Sequence, residues 1–331
     1  MRRTLYQNEA DLEEIASVSV IVCSYNRANS LRETLMALEE LETYPDLSLE
    51  VIVVDNNSTD HTRQTVEEAR KSWSSLRYVF EGRQGLSYAR NKGIEAAVGE
   101  VILFTDDDVI PESDWVIKTV FGMKKYDASA CGGYIAPIWE VPPPAWLKER
   151  FYGFFAVRID REDDYLIDSS SQAPYGANMA FRRDVFDKVG GFDVSRGRKG
   201  KLLSSGEDGE IFDRILASGM KAVFLGGARV NHKVEAFRLT KEYMRKWRYQ
   251  TSRNKAIALG LPGKRRLCNV PLYVFPQTAR ALARSIVSRI ASPEDEAFSR
   301  EIIFYHFLGT IRGLWDNRHQ GDGHDSCSTR A

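Results

Sequence analysis

Three consecutive aspartates, Asp106, Asp107 and Asp108, directly follow the apolar run VILFT at 101 to 105. Carboxylates crowded together repel one another unless a cation or hydrogen-bond donors balance them. Mg2+ or Mn2+ is the natural partner, because such hard ions take one or two carboxylates together with phosphate oxygens of a substrate. By itself the triplet reads equally well as an acidic turn or a helix N-cap. Its place at the end of a buried strand favours the metal, since ligands of open α/β sheets bind beyond the carboxyl ends of strands. Alternation along the strand would set Asp106 and Asp108 on one side and Asp107 elsewhere. A second acidic group, Gly206-Glu207-Asp208-Gly209-Glu210, opens a segment whose Ile211, Ile215 and Leu216 share a helical face. Acidic residues complement the dipole of a helix start, so capping accounts for the cluster on its own. A carboxylate held there can also serve as a general base. His232 follows the strand-like run AVFLGGARV. A lone histidine is more often structural than a ligand.

The elements that must position these groups alternate in type. Val18 to Cys23 is an apolar, β-branched run that reads as a strand buried on both faces. Ser30 and Glu33 form a capping-box pattern ahead of Leu31, Leu35 and Leu38, which share a helical face. Val51 to Val54 reads as a second strand and is followed by the turn-rich DNNSTD. A helix over 62–72, a strand over 77–80, a helix over 86–97 and a strand over 101–105 complete the series. Strands alternating with helices make right-handed βαβ units on a parallel sheet. Beyond 105 the regularity falls. The prolines at 142 to 144 cannot lie inside a helix or a central strand. Residues 174–235 read as mixed and 238–317 as mostly helical. The polar stretch 1–17 reads as loosely ordered, and the final HQGDGHDSCSTRA as disordered.

The 331 residues carry 46 Lys plus Arg and 46 Asp plus Glu, and this zero balance argues against nucleic acid as a partner. The four cysteines are scattered without a C-x-x-C pair, which gives no support to a zinc-finger or disulfide-framework reading. Cys23 and Cys131 lie in apolar runs and read as buried thiols of a reducing compartment. The start, MRRTLYQNEADLEEIA, has no apolar core of a signal peptide, and no stretch suits a membrane span. The charge is nevertheless uneven: residues 238–290 hold thirteen Lys or Arg and one acidic residue, Glu242. Tyr243, Trp247, Tyr249, Tyr273 and Phe275 are interleaved. Arg280, Arg284 and Arg289 are expected on one stripe beside apolar residues, a combination suited to an anionic membrane surface. A solvated basic face on a packed appendage is the plainer alternative. A nucleic-acid patch fits less well, because no recognition motif accompanies it.

Five stretches, in order, resemble family 2 glycosyltransferases: VSVIVCSYNRANSLRETL at 18–35, VIVVDNNSTDHT at 51–62, GLSYARNKGIEAAVGEVILFTDDDVIP at 85–111, YGANMAFRRDVFDKVGGFD at 175–193 and GEDGEIFDRILASG at 206–219. The resemblance covers about residues 18–235. It implies an α/β chain with the A-type glycosyltransferase fold, a Rossmann-like, mostly parallel sheet flanked by helices, here with a helical C-terminal appendage. The expected division is an extension over 1–17, a catalytic domain over 18–236, a basic helical region over 237–318 and a tail over 319–331. The catalytic domain splits into a nucleotide-binding half, 18–110, and an acceptor half, 111–236. The resemblance implies that Ser24, Tyr25 and Arg27, with Asp55 at the close of the second strand, hold the nucleotide base. Its D-x-D motif maps to Asp106, toward the ribose and the metal, and to Asp108, on the metal. Its E-D motif maps to Glu207 and Asp208, with Asp208 as the base, and His232 completes the metal site. Tyr175 to Asn178 falls in a motif that lines the sugar and acceptor region.

The implied activity is inverting transfer of a sugar from a nucleotide-diphosphate donor, most commonly a UDP-sugar, to a hydroxyl acceptor, with Mn2+ or Mg2+. Surface-polysaccharide or glycoconjugate synthesis is the expected setting. A lipid-linked acceptor fits an enzyme that is cytoplasmic and peripheral on the inner face of the membrane. Two other classes compete. A sugar-nucleotidyltransferase would carry a glycine-rich phosphate loop after the first strand, where this chain has CSYNRANS. A non-catalytic sugar-nucleotide-binding protein would have no need of Asp106, Asp108 and Asp208 together.

Overall fold

The computed structural model describes residues 15–159, 161–198 and 206–317. The extension and the tail expected to be loosely ordered lie almost wholly outside the described residues. Ile15 is buried, and the first strand already starts at Ser17. In chain order the elements are β1 (Ser17–Ser24), α1 (Ala28–Glu39), β2 (Ser48–Asp55), α2 (Thr62–Ala69), β3 (Leu76–Phe80), α3 (Leu86–Ala96), β4 (Val101–Asp106), β5 (Val109–Pro111), α4 (Trp115–Lys125) and β6 (Ala130–Trp139). There follow β7 (Tyr165–Ile167), β8 (Met179–Arg182), α5 (Asp184–Val189), α6 (Glu207–Ala217), β9 (Ala222–Val234), α7 (Lys241–Leu259), β10 (Arg266–Leu267), β11 (Val270–Pro271), α8 (Val274–Ala291) and α9 (Glu294–Asp316).

One nine-stranded sheet runs β3-β2-β1-β4-β8-β6-β9-β5, with β7 added on β9. The first four strands are parallel, as the βαβ pattern requires. β8 then runs antiparallel to both β4 and β6, so the second half is mixed. β1 is central and buried on both faces, which is why its sequence is a continuous apolar run. Val20 and Val22 pack with Leu31, Leu35 and Leu38 of α1, whereas Ile21 packs on the other face with Ala89 of α3 and Phe104.

Two local expectations need correction. The capping box does not form: α1 begins at Ala28, the residue ahead of it is Arg27, whose side chain makes no capping bond, and the Ala28 N–H is taken up by the Asp60 carboxylate at 3.1 Å instead. Ser30 therefore sits inside the first turn. The alternation expected across the three aspartates also stops early. β4 ends at Asp106, and Asp107 and Asp108 occupy the turn into β5, so all three can reach one cleft.

The C-terminal region is helical, as read. α7 lies along α9, and α8 packs against α9 as well. The close approach of α7 and α9 depends on Gly309 and Gly313, where a Cβ would run into the backbone of Tyr249 and Arg253. The basic residues of α7 turn inward in part: Arg245 pairs with Glu301 at 2.6 Å and Arg253 with Asp316 at 2.7 Å. The single arginine stripe expected on α8 is not formed either. The five-residue step from Arg284 to Arg289 turns the helix by roughly 140° and sets Arg289 on another side.

Candidate active site

A cleft of about 730 Å3 opens beyond the ends of β1 and β4, where ligands of open α/β sheets bind. Register places its floor. Cys23 is paired with Asp106, so the end of β1 and the aspartate turn lie side by side. Ser24 donates its hydroxyl to Asp107 at 2.7 Å. Arg27, just past the β1 turn, reaches back to Asp107 at 3.3 Å, to Asp108 at 2.9 Å and to Glu235 at 3.5 Å. The β5–β9 pairing sets His232 opposite Val109, the neighbour of Asp108. The ring is buried, with Nδ1 2.7 Å from the Phe155 carbonyl and Nε2 3.2 Å from Asp108 Oδ1.

The electrostatics of this floor are unbalanced. Three carboxylates face the guanidinium of Arg27, with the charges of Arg90 on Asp106 and Arg238 on Asp108 acting from further off. Burial pushes the Asp107 carboxyl up to about 7, against the opposing pull of Arg27. Burial also raises Asp106, helped by the charge of Asp108. Burial alone would raise Asp108 too, but the facing His232 and Arg27 outweigh it and hold this carboxyl below the ordinary range. Among the described residues no three ligand-type side chains stand together as a ready-made metal cage. The donor set still suits a divalent ion. It offers a surplus of buried negative charge and an imidazole whose Nδ1 is fixed by a backbone carbonyl, which leaves Nε2 as the ligand atom.

The opposite wall comes from α6. Glu207 and Asp208 start that helix, and a single buried arginine from α3, Arg90, serves both: 2.6 Å to Asp208 Oδ1 and 3.4 Å to Glu207 Oε1. The other Asp208 oxygen accepts the Gly176 N–H at 2.9 Å. A Cβ at Gly176 would displace the Arg90 guanidinium from its place beside Asp208. Glu207 is 4% exposed, and its Oε2 is buried without a hydrogen-bond partner. Burial, reinforced by the charge of Asp208, raises its carboxyl to about 7. The cluster thus does more than cap a helix.

Of the residues singled out in the sequence, Ser24, Tyr25, Arg27, Asp106, Asp108, Glu207, Asp208 and His232 all line this one cleft. Asp55 stands apart. It closes β2 but is buried, and its oxygens accept from the Ser58 N–H at 2.9 Å and the Tyr78 hydroxyl at 2.8 Å. Its neighbour Asn56 lines the cleft instead. Asn178 turns away from the cleft chemistry into the core. It accepts from the Trp115 indole N–H and donates to the Tyr134 and Ala228 carbonyls.

Two cleft arginines were assigned no role from the sequence. Arg90 sits in an ordinary-looking amphipathic stretch, and nothing local marks it as buried. Arg238 lies six positions after His232 in a short 3₁₀ turn. It is buried and lines the cleft, with its guanidinium beside the rings of Phe155 and Tyr243 and its Nε without a partner.

A sheet of this topology with an acidic turn after its fourth strand and a carboxylate pair across the cleft defines an A-type glycosyltransferase. The chain belongs to glycosyl transferase family 2, whose family model matches residues 19–190. It is 34% identical over 225 residues to a glucosyl-dolichyl phosphate glucuronosyltransferase of Haloferax volcanii, covering 67% of this chain and 70% of that one. The succinoglycan biosynthesis protein ExoM of Rhizobium meliloti is 26% identical over 264 residues, 78% of this chain and 81% of ExoM. The solved structure of the mannosyltransferase PcManGT of Pyrobaculum calidifontis, in complex with GDP-Man and Mn2+, matches with a TM-score of 0.61. That match covers 90% of this chain and 87% of PcManGT at 21% identity, a likeness of fold.

Proposed function

We propose that the protein is an inverting, metal-dependent glycosyltransferase that moves a sugar from a nucleotide-diphosphate donor, a UDP-sugar in the favoured case, to a hydroxyl acceptor in glycoconjugate or surface-polysaccharide synthesis. One observation carries the reading: carboxylates from the end of β4 and from the start of α6 open onto one cleft, each group backed by a guanidinium. Residues 18–236 form the catalytic domain, with 18–110 as the nucleotide-binding half and 111–236 as the acceptor half. Residues 237–318 form the appendage.

The nucleotide lies along Ser24, Tyr25 and Asn56, with Asp106 toward the ribose. Asp55 positions this end through Ser58 and Tyr78. Mn2+ or Mg2+ held by Asp108, His232 and Asp106 would supply charge neutralisation for the leaving diphosphate. Arg27 and Arg238, which line the same cleft, would share its oxygens. Asp208, fixed by Arg90 and the Gly176 N–H, takes the proton of the acceptor hydroxyl. The acceptor oxygen bonds to the anomeric carbon, the bond from that carbon to the diphosphate oxygen breaks, and nucleoside diphosphate leaves. A single displacement inverts the anomeric configuration. The name of the Haloferax relative refers to glucosyl-dolichyl phosphate, which supports a lipid-linked acceptor. Such an acceptor suits an enzyme peripheral on the inner face of an anionic membrane.

The test follows nucleoside diphosphate release from a panel of nucleotide sugars, with Mn2+, with Mg2+ and with chelator. Release that requires the ion and collapses in Asp208→Asn bears the reading out. Full release in chelator removes the metal from it, and pyrophosphate exchange in place of nucleoside diphosphate makes the protein a nucleotidyltransferase.

A further inference from the structure

Helix α8 is packed inside out. Its buried positions carry mostly small or polar residues, Ala281, Ser285 and Ser288 after the initial Val274. Its large apolar residues face away: Leu282 is 41% exposed, Ile286 53%, Val287 60% and Ile290 91%, with Phe275 exposed as well. At 3.6 residues per turn these side chains span roughly 140° of the circumference. Arg289 borders that arc on one side, with Arg280 and then Arg284 on the other. Arg280 and Arg284 have no carboxylate partner among the described residues, and Arg289 reaches Glu301 at 3.4 Å. No acidic residue occurs from 243 to 293. No helix among the described residues is long and apolar enough to cross a membrane.

From this arrangement we infer that α8 docks the enzyme on an anionic lipid surface, its apolar arc sunk among the headgroups and its flanking arginines on lipid phosphates. An apolar arc between cationic borders is the pattern of a helix lying in the membrane interface, where long side chains reach up to the phosphates. A second copy of the chain fits this face less well. Pairing two α8 helices through the arc would set arginine borders against arginine borders with no acid on either helix. The inference rests on the proposed membrane-side acceptor and sharpens it in one respect. Attachment comes from apolar insertion by α8, whereas the arginines of α7 are largely committed within the bundle.

The experiment is co-sedimentation of the full chain with vesicles of phosphatidylcholine alone or mixed with phosphatidylglycerol. The double variant Ile286→Glu with Ile290→Glu alters exposed positions, so its melting temperature should match wild type. Its recovery with mixed vesicles should fall about tenfold or more, because two apolar groups must leave the interface as charges. Arg280→Gln with Arg284→Gln should lower the preference for the mixed vesicles. Part of the wild-type binding should survive 1 M salt, where the Debye length is about 3 Å and only attraction between charges is lost. Equal recovery of wild type and the Ile variant, or none of either, overturns the inference. So does a lipid-free dimer that the Ile variant disperses. Nucleoside diphosphate release is followed in the same samples. Its absence alongside vesicle binding that responds to the Ile variant supports the docking and counts only against the enzymatic reading.

Discussion

Glu207 is the residue whose environment makes the sharpest quantitative demand. Its carboxyl is buried, one oxygen has no hydrogen-bond partner, and Asp208 adds negative charge beside it. Its pKa rises from 4.5 to about 7. The folded protein therefore holds a proton there that the unfolded chain releases. Stability from this group is fully present below the unfolded value of 4.5 and is lost as pH rises through the folded value of about 7. Each pKa unit is worth about 1.4 kcal/mol, so the loss across the window is roughly 3 kcal/mol. Glu207→Gln keeps the shape and cannot ionise. Near about pH 5 the two proteins should be similarly stable, and near about pH 9 the variant should be the more stable by roughly 3 kcal/mol. Asp107 adds a slope of the same sign to both proteins, which cancels in the difference. Urea unfolding of the metal-free proteins across this range measures it. Parallel curves would refute the reasoning, because they would mean that Arg90 keeps Glu207 ionised throughout.

Asp208→Asn should retain donor binding by calorimetry yet lose turnover on the order of a hundredfold or more, as expected for a general base. His232→Ala should weaken Mn2+ binding in a metal titration and lower the thermal stabilisation that saturating ion confers, about 2.7 kcal/mol at 100 times the dissociation constant in wild type. Arg238→Gln should raise the donor dissociation constant about tenfold to a hundredfold, the worth of one or two hydrogen bonds to a charged group, while the melting temperature moves little. Asn178→Ala should act oppositely. It leaves buried partners at Trp115, Tyr134 and Ala228 unsatisfied and should cost about 3 kcal/mol in urea unfolding, with little change in donor affinity for the folded fraction.

The parallel half of the sheet was already legible in the order of residues along the chain. β1, β2 and β4 are buried on both faces, so each had to be an apolar run, and the helices between them had to show an apolar stripe. The sequence also marked Asp106 to Asp108 and Glu207 to Asp208, because charge directly beside such runs is locally conspicuous. Three things were left to the tertiary structure. The direction of Asp107 depended on where β4 ended, a property of the turn into β5. The roles of Arg90, Arg238 and Asn178 depended on residues far along the chain, since an arginine in a helix looks the same whether it meets water or two buried carboxylates. The basic C-terminal region, one undivided run of charge in the sequence, was sorted by packing. Acids of α9 took up arginines of α7, and the small residues of α8 turned inward so that its large apolar residues faced out. Periodicity records that a helix has two faces. Which face is covered is decided only by the partner that packs against it.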